Sequence, residues 1–490
     1  MATPTRYLSA GDRSSYTPVH AVWEITLACD LKCQHCGSRA GKRRSAELTT
    51  SECLDLVRQL ARMGTREVTL IGGEAYLRRD WLQIIREIRD QGMDCSMQSG
   101  GLNLTGDRIK AAVDAGLQAL GISVDGLREL HDDLRGVKGS FDAAFEALHA
   151  VKKYGIASSV NTQITSLVIP QLRELMNVFI AAGAKTWQVQ LTVAMGRAAD
   201  HPELLLQPYE LLELMPLLAG LYEEGAGRGF LLLPGNNIGY FGPYESLWRG
   251  SGDDRVYWTS CNAGQNTLGI EADGTIKGCP SLPTSPYAGG NIRDRNLKHI
   301  WWQTDELNIN RGRTTDELWG FCGSCYYAAA CKAGCTWTTH VLFGRAGNNP
   351  YCHHRALELS KQGLRERIAQ VEKAPGTPFD HGRFELILET TDGTTPPSPV
   401  DRLPVNGNTL VQIASVRSNK RGKAKASSAP QALILCRGCN RHVLPDTSIC
   451  PFCEGDIRAL AKLHDKKLRE ARKAYQRLLK LLPQLEPVHS

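Results

Sequence analysis

Val22-Trp-Glu-Ile-Thr-Leu27, followed by Cys29-Asp-Leu-Lys-Cys33-Gln-His-Cys36, decides how the rest of this sequence is read. The first part is an apolar run of strand length. The second is a loop with three residues between its first two cysteines and two between the next pair. Three thiolates cannot fill the four corners of a cubane iron-sulfur cluster, so one iron is left without a protein ligand and free for chemistry. A zinc loop is the rival reading, but three cysteines this close together with no fourth nearby suit tetrahedral zinc poorly.

Outward from that loop the chain alternates. Strand-like runs at Val22 to Thr26, Glu67 to Ile71, Asp94 to Gln98, Ala119 to Val124, Ser158 to Ile164 and Trp187 to Thr192 are separated by helical patterns. The helical patterns lie near Ser51 to Met63, Trp81 to Gln91, Asp107 to Ala115, Phe141 to Lys153, Gln171 to Ala182 and Tyr209 to Glu223. Six such units predict an α/β fold, a parallel sheet with right-handed crossovers curved into a partial (β/α)6 TIM-type barrel. Sites in such barrels lie at the C-terminal ends of the strands, and the cysteine loop follows the first strand.

The second strand runs into Gly72-Gly73-Glu74, where two glycines permit close backbone approach and a carboxylate can hold a cation. The third ends in Gln98-Ser99-Gly100, and the fourth in Ile122-Ser123-Val124-Asp125-Gly126, followed by His131-Asp132-Asp133-Leu134-Arg135-Gly136. With the cysteine loop, these motifs resemble the radical S-adenosylmethionine (SAM) enzymes. In that family the open iron chelates SAM, and an electron from the [4Fe-4S] cluster splits it to a 5'-deoxyadenosyl radical. The resemblance implies that Cys29, Cys33 and Cys36 hold the cluster and that Gly72, Gly73 and Glu74 bind the SAM ammonium. Ala75 replaces the proline that usually follows. The same resemblance assigns Ser123 to the SAM ribose or carboxylate region and Arg135 to its carboxylate, and places Asn161 and Met195 near the cofactor. The competing reading has Ser123 capping a turn and Arg135 in a surface ion pair. Relatives carry an aromatic residue where His35 stands, so His35 either stacks on the adenine or faces solvent.

A second cysteine field runs Cys261, Gly274, Cys279, Cys322, Cys325, Cys331, Cys335 and Cys352. Its spacing resembles the SPASM extension, named for the maturases of subtilosin, pyrroloquinoline quinone, anaerobic sulfatases and mycofactocin. That extension binds up to two auxiliary iron-sulfur clusters. Carried over by position, Cys322, Cys325, Cys331 and Cys352 make one complete site, and Cys261, Cys279 and Cys335 make part of the other. A fourth cysteine for the latter is not evident, so another side chain completes it or an iron stays open. Sulfatase maturases place an aspartate after the second of these cysteines as a base; Pro280 stands there, which weighs against that activity. Asp273, Tyr326, Tyr327 and His340 are nearby groups able to titrate or relay charge.

Of the 16 cysteines, only Cys53 and Cys95 lie outside the cysteine groups, and both read as small core residues. So many thiols without an export signal argue for metal rather than disulfides, hence a cytoplasmic protein. No uninterrupted apolar stretch is long enough to span a bilayer. The 490 residues imply two to four domains. The expected segments are a lead (1–21), the barrel (22–230), the SPASM domain (231–372), a linker with at most a small β element around Phe384 to Leu388 (373–430), a zinc-ribbon-like module (431–456) and a basic amphipathic helix (457–490). In the ribbon, Cys436, Cys439, Cys450 and Cys453 form two knuckles suited to tetrahedral zinc, with a single rubredoxin-like iron as rival. The helix sets Ile457, Leu460, Leu468, Ala471, Tyr475, Leu478 and Leu482 on a stripe, and it either docks on its own ribbon or binds a partner. Charge is concentrated there: residues 415 to 490 hold 16 Lys and Arg against 6 Asp and Glu, a local +10 within a net +7.

These features predict a maturase that modifies a ribosomally made peptide by hydrogen abstraction, giving a crosslink, an oxidation or a backbone excision. A precursor peptide and a reductant such as flavodoxin or ferredoxin are the expected partners; membrane and nucleic acid are not. The lead before Val22 is too short for a leader-binding module, so a separate leader-binding protein or the tail is expected to serve. The rivals are a SPASM enzyme of small-molecule or cofactor biosynthesis, and a non-catalytic zinc protein that binds nucleic acid or protein.

Overall fold

The computed structural model describes residues 6, 8–250, 256–393, 402–403 and 432–481; the basic stretch Arg417 to Lys425 and stripe residue Leu482 lie outside them. The chain forms two units, Met1–Gly239 with Thr259–Ala426, and Tyr240–Trp258 with Ser427–Ser490.

In the first unit a short helix α1 (Ala10–Ser15) precedes an alternation of strands and helices. The strands are β1 (His20–Glu24), β2 (Glu67–Ile71), β3 (Asp94–Ser99), β4 (Ala119–Ser123), β5 (Ala157–Ile164), β6 (Thr186–Leu191) and β7 (Leu231–Pro234). Between them lie α2 (Thr50–Arg62), α3 (Trp81–Asp90), α4 (Gly106–Asp114), α5 (Arg128–Arg135), α6 (Ser140–Lys153), α7 (Leu172–Ala182) and α8 (Leu211–Gly227). All neighbouring pairs from β1 to β7 are parallel, as helical crossovers require. Helix α2 starts at a capping box between Thr49 and Glu52 and buries Cys53, Leu56, Val57 and Leu60, one stripe at helical spacing. Cys53 and Cys95 are core residues, as expected. Trp23, Leu70, Met97, Val160 and Trp187 fill the sheet faces, with Trp187 donating its indole N–H to Thr162 Oγ1 at 2.9 Å. Pro202–Gly227 is the one described helical stretch long and apolar enough to cross a membrane, and 56% of its apolar window is buried.

Two features depart from the expected layout. The sheet has ten strands in the order β10-β9-β8-β1-β2-β3-β4-β5-β6-β7, where β8 is Thr267–Ile270, β9 Thr275–Lys277 and β10 Ala288–Asn291. Strand β7 therefore carries the barrel past residue 230, and β8 pairs in parallel with β1, covering its free edge. In addition, the stretch expected as linker begins inside a three-stranded sheet of β11 (Leu364–Glu372), β12 (Arg383–Thr390) and β13 (Arg402–Leu403). Arg365 and Arg367 pair across strands with Glu389, and Ile368 N–H donates to Gln207 Oε1 at 2.8 Å. Those charges make β11 unlike an apolar strand in the sequence, while the barrel loop supplies its docking partner.

The second unit contains the ribbon strands β14 (Ile434–Leu435) and β15 (His442–Val443), a short helix Glu245–Gly250 and the long helix Ile457–Leu481. Residues 240–258, expected within the SPASM segment, join the ribbon because their aromatic rings are covered there. Tyr257 packs on His442 with ring centroids 5.1 Å apart, and its hydroxyl accepts from Leu433 N–H at 3.1 Å. Ile457 and Leu460 pack on the cysteine core, while Leu468, Tyr475 and Leu478 are exposed. Only the start of the helix docks on its own ribbon.

Candidate active site and metal centres

The cysteine loop is held by main-chain bonds on three sides. Cys29 N–H donates to Gly41 O, Lys32 N–H to Arg135 O and Gln34 N–H to Leu134 O, at 3.1, 3.0 and 2.8 Å. From the far side Arg197 N–H donates to Cys36 O at 2.9 Å, and the Arg197 guanidinium donates to Cys33 O and Ala40 O at 2.6 and 3.0 Å. Burial pushes the Cys33 thiol up to about 11, offset in part by Arg135. Burial and then Glu74 raise Cys29 further, and Cys33 and Cys36 add to it. Cys29 and Cys33, raised in this way, favour the thiol form until a bound cation supplies the compensating charge.

Glycines of the Gly72-Gly73-Glu74 motif serve the loop itself. A Cβ on Gly73 would lie 2.2 Å from Ala28 O and 2.6 Å from Cys29 Cβ, so only glycine lets the turn after β2 pass beneath the first cysteine. Replacement of Gly73 by Ala is expected to cost about 2 to 3 kcal/mol in denaturant melts. Gly41→Ala, with nothing within 4 Å of its Cβ, should stay within about 0.5 kcal/mol of wild type. Equal melts for the two variants would refute this packing role.

Glu74 is buried and accepts from Ser99 Oγ and Gly100 N–H, both at 2.6 Å; burial raises its pKa to about 7. Its carboxylate, that of Asp30 and the Cys29 thiol each present an atom within 4.8 Å of the others. Asp30 Oδ2 accepts from Tyr76 and Asn103, each at 2.8 Å, whereas its buried Oδ1 has no protein partner. Two carboxylates beside the first cysteine, one with an unused buried oxygen, make an acidic corner suited to a cationic group. Asp30 was not singled out from the sequence, because a lone aspartate inside a cysteine loop carries no motif of its own.

For Arg135 and His35 the structure removes the surface alternatives. Arg135 is buried, not on the surface, with Nη2 2.5 Å from Asp125 Oδ2 and Nη1 3.7 Å from Cys33 Sγ. His35 does not face solvent: Nε2 lies 2.7 Å from the same Asp125 oxygen. Burial alone would raise the Asp125 pKa, but Arg135 and then His35 hold it well below the carboxylate range. Asp125 is thus the hub behind Cys33, a role the sequence hid because Ser-Val-Asp-Gly reads as a turn. Ser123 and Asn161 face each other in the β4–β5 register, and Asn161 Nδ2 donates to Gln98 Oε1. Met195 is buried and accepts from Trp337 Nε1 through its sulfur at 3.1 Å.

His131 closes this network. Asp125 N–H donates to His131 Nδ1 at 3.1 Å, which requires a neutral ring, and burial followed by Arg135 lowers its pKa to about 4. The unfolded chain takes up this proton near pH 6.5. The stabilisation is therefore complete above pH 6.5 and is lost as pH falls towards 4, by about 3 kcal/mol. Urea melts from pH 7 to 4 should show this slope, and it should be smaller in His131→Phe; identical slopes would exclude the histidine as its source.

A buried charge cluster joins the loop exit to the β8–β9 hairpin. Arg44 lies 3.0 Å from Glu24 and 3.1 Å from Glu271, and Lys277 Nζ lies 2.7 Å from Glu271. Around this hairpin the auxiliary cysteines gather. Burial, then Cys261, pushes Cys279 up to about 11, and burial, Cys261 and Cys279 push Cys335 up to about 12. Cys325 is raised by burial and by Cys322 and Cys352. Two N–H groups point at this second group, from Tyr327 to Cys325 Sγ and from Asn349 to Cys322 Sγ, each at 3.4 Å. Buried Arg355, paired with Glu366 at 2.6 Å, adds positive charge beside Cys322 and Cys352. Cys331 ends the helix Ala328–Cys331. Of the nearby titratable groups, His340 accepts from or donates to the Tyr287 hydroxyl at 2.9 Å. In the ribbon the Cys436–Cys453 and Cys439–Cys450 sulfurs are 3.8 and 3.7 Å apart, and all four converge. A tetrahedral site with metal–sulfur bonds of about 2.3 Å has edges of about 3.8 Å.

Comparisons agree with this geometry. Residues 23–176 match the radical SAM superfamily, and residues 261–326 match SPASM, an iron-sulfur cluster-binding domain. The chain is similar to the AdoMet-dependent heme synthase of Oleidesulfovibrio alaskensis, 27% identical over 68% of this chain and 86% of that protein. It is equally similar to the mycofactocin maturase MftC of Mycobacterium tuberculosis, 27% identical over 68% of this chain and 83% of the maturase. Among solved structures, Streptococcus suis SuiB bound to S-adenosylmethionine shares the fold with TM-score 0.55 and 17% identity over 69% of this chain and 76% of SuiB. The structure of anSMEcpe with bound AdoMet does so with TM-score 0.55 and 18% identity over 70% and 95%.

Proposed function

We propose, from the premise that this chain is a radical SAM enzyme carrying a SPASM domain, that it modifies a ribosomally made peptide. Both domains imply SAM and iron-sulfur clusters as cofactors. The residues fit them: Cys33 and Cys36 stand close enough to Cys29 to raise its thiol, and Asp30 beside Glu74 has a buried oxygen with no protein partner. When bound, cluster and SAM supply hydrogen-atom abstraction from an unactivated carbon. The protein's own part is positioning. Asp30 and Glu74 would hold the ammonium end, Arg135 on its Asp125 anchor faces Cys33, and Arg197 fixes the loop backbone.

The observation that carries this reading is the β1–β8 pairing, which brings the hairpin leading to Cys279 alongside the strand that leads to Cys29. Cys261, Cys279 and Cys335 would hold one auxiliary cluster and Cys322, Cys325, Cys331 and Cys352 another, to bind substrate or take up an electron. Zinc would fill the ribbon, and flavodoxin or ferredoxin would supply electrons in a cytoplasmic setting. The ribbon helix or a separate protein would bind the leader. A peptide is favoured because SuiB was solved with its precursor peptide SuiA and MftC is named a maturase. The second reading is a small-molecule substrate, favoured by the heme synthase relatives at the same identity. Anaerobic enzyme given SAM, reductant and the peptide encoded beside its gene should release 5'-deoxyadenosine and change the peptide's mass. Nucleoside release with no mass change in any such peptide, but with turnover of a small-molecule substrate, would favour the second reading.

A further inference from the structure

The segment 373–382, between β11 and β12, is bound to the cysteine loop at several points. Arg39, three residues past Cys36, pairs through Nε with Asp380 Oδ1 at 2.6 Å and through Nη1 with Asp200 at 2.5 Å. Asp380 O accepts from Gly196 N–H at 2.8 Å, and Met195 forms an isolated bridge with His381. Asp380 Oδ2 in turn accepts from Gly376 and Thr377 N–H, closing the segment into a tight turn. At its tip Phe379 has φ +59°, a left-handed conformation that a bulky residue adopts only when surrounding contacts enforce it.

The ring fills a small core cluster of its own. Val193, Met195 and Val341 pack against it, with Trp337 at their edge. Lys277 Nζ is 4.0 Å from the ring centroid and the Arg44 guanidinium 5.5 Å away. Met195 also flanks the cysteine loop, since a Cβ on Gly37 would lie 3.5 Å from its Cε, and Lys277 stands two residues before Cys279. Phe379 thus touches Met195, which flanks the first cysteine loop, and Lys277, which precedes Cys279. Its place has the apolar walls and paired cations that suit the face of a planar aromatic group.

We infer that this pocket is a binding site for an aromatic side chain of the substrate, and that Phe379 is its displaceable internal occupant, latched by Asp380 to Arg39. This deepens the reading of the chain as a peptide-modifying enzyme and rests on it. A substrate ring must compete with Phe379, so apparent affinity is reduced by the fraction of molecules in which the pocket is closed. Residues 374–382 leave the pocket when the ring enters and return when it departs.

The probes are N-acetyl-phenylalaninamide and N-acetyl-leucinamide, titrated calorimetrically into the metal-loaded full chain. Phe379→Ala should bind the aromatic probe at least about tenfold more tightly than wild type and the aliphatic probe less than about threefold more tightly. In wild type, saturating aromatic probe should speed amide hydrogen exchange in 374–382. Equal gains for both probes, or no gain for the aromatic one, would overturn the inference and leave Phe379 a fixed wall. Should Phe379→Ala fail to fold, Asp380→Asn, which keeps the ring and cuts the latch, should show the same selective gain, and its absence would be equally decisive. Formation of 5'-deoxyadenosine by wild type is recorded in parallel. Its absence would count against the chamber's reaction, whereas the binding ratio tests the pocket alone.

Discussion

Replacing Cys29, Cys33 and Cys36 together with alanine is expected to abolish 5'-deoxyadenosine formation while the auxiliary metal stays in place. The loop's main-chain anchors to Gly41, Arg135, Leu134 and Arg197 do not involve the thiols, so the barrel should still fold. Iron should fall by about four per chain, the content of one cubane cluster. Metal held by Cys436, Cys439, Cys450 and Cys453, about one ion per chain, should remain, because these residues belong to the second unit. Anaerobic metal analysis beside chromatography of the nucleoside reads all three quantities. SAM cleavage surviving in the triple variant would remove the N-terminal loop from the chemistry altogether.

Asp125→Asn should have the next largest effect. The substitution keeps the shape and removes the one charge that faces both Arg135 and His35, leaving a buried guanidinium uncompensated. Breaking a buried pair from one side costs about 3 to 5 kcal/mol, more than replacing both partners. Because Arg135 also faces Cys33 and its carbonyl accepts from Lys32 N–H, the loss should reach the loop as well. A melt shifted by that amount together with lower iron occupancy is expected. The double change Asp125→Asn with Arg135→Met should recover part of the stability. A double variant no more stable than Asp125→Asn would place the cost outside this pair.

Much of this was legible before any coordinate. Six strands and six helices lie within a few residues of their expected places, because apolar residues recur at two and at about 3.6 along those runs. The cysteine groups were legible for another reason: a metal needs several soft ligands on a short tether, so ligand spacing is written locally. Strand β11 was hidden because its sequence Leu-Arg-Glu-Arg-Ile-Ala-Gln-Val-Glu is charged, and its partners run from Arg383, opposite Glu372, to Thr390, opposite Leu364. Residues 240–258 were misplaced because only packed aromatic rings reveal that they belong with the ribbon. Arg135 was noticed for its charge, but its partner Asp125 was noticed only as part of a turn.

The order of elements, the thiol sets and the chemistry they can hold are properties of the sequence itself, since each depends on residues near one another along the chain. Which charges face each other is different. That Asp125 sits behind Cys33, that Asp30 keeps an unused oxygen beside Glu74, and that Phe379 stands between Met195 and Lys277 were decided only by the tertiary structure. Ion pairs and ring contacts act over a few ångströms of space irrespective of chain separation, and the folded sheet alone brings residues hundreds of positions apart within that reach.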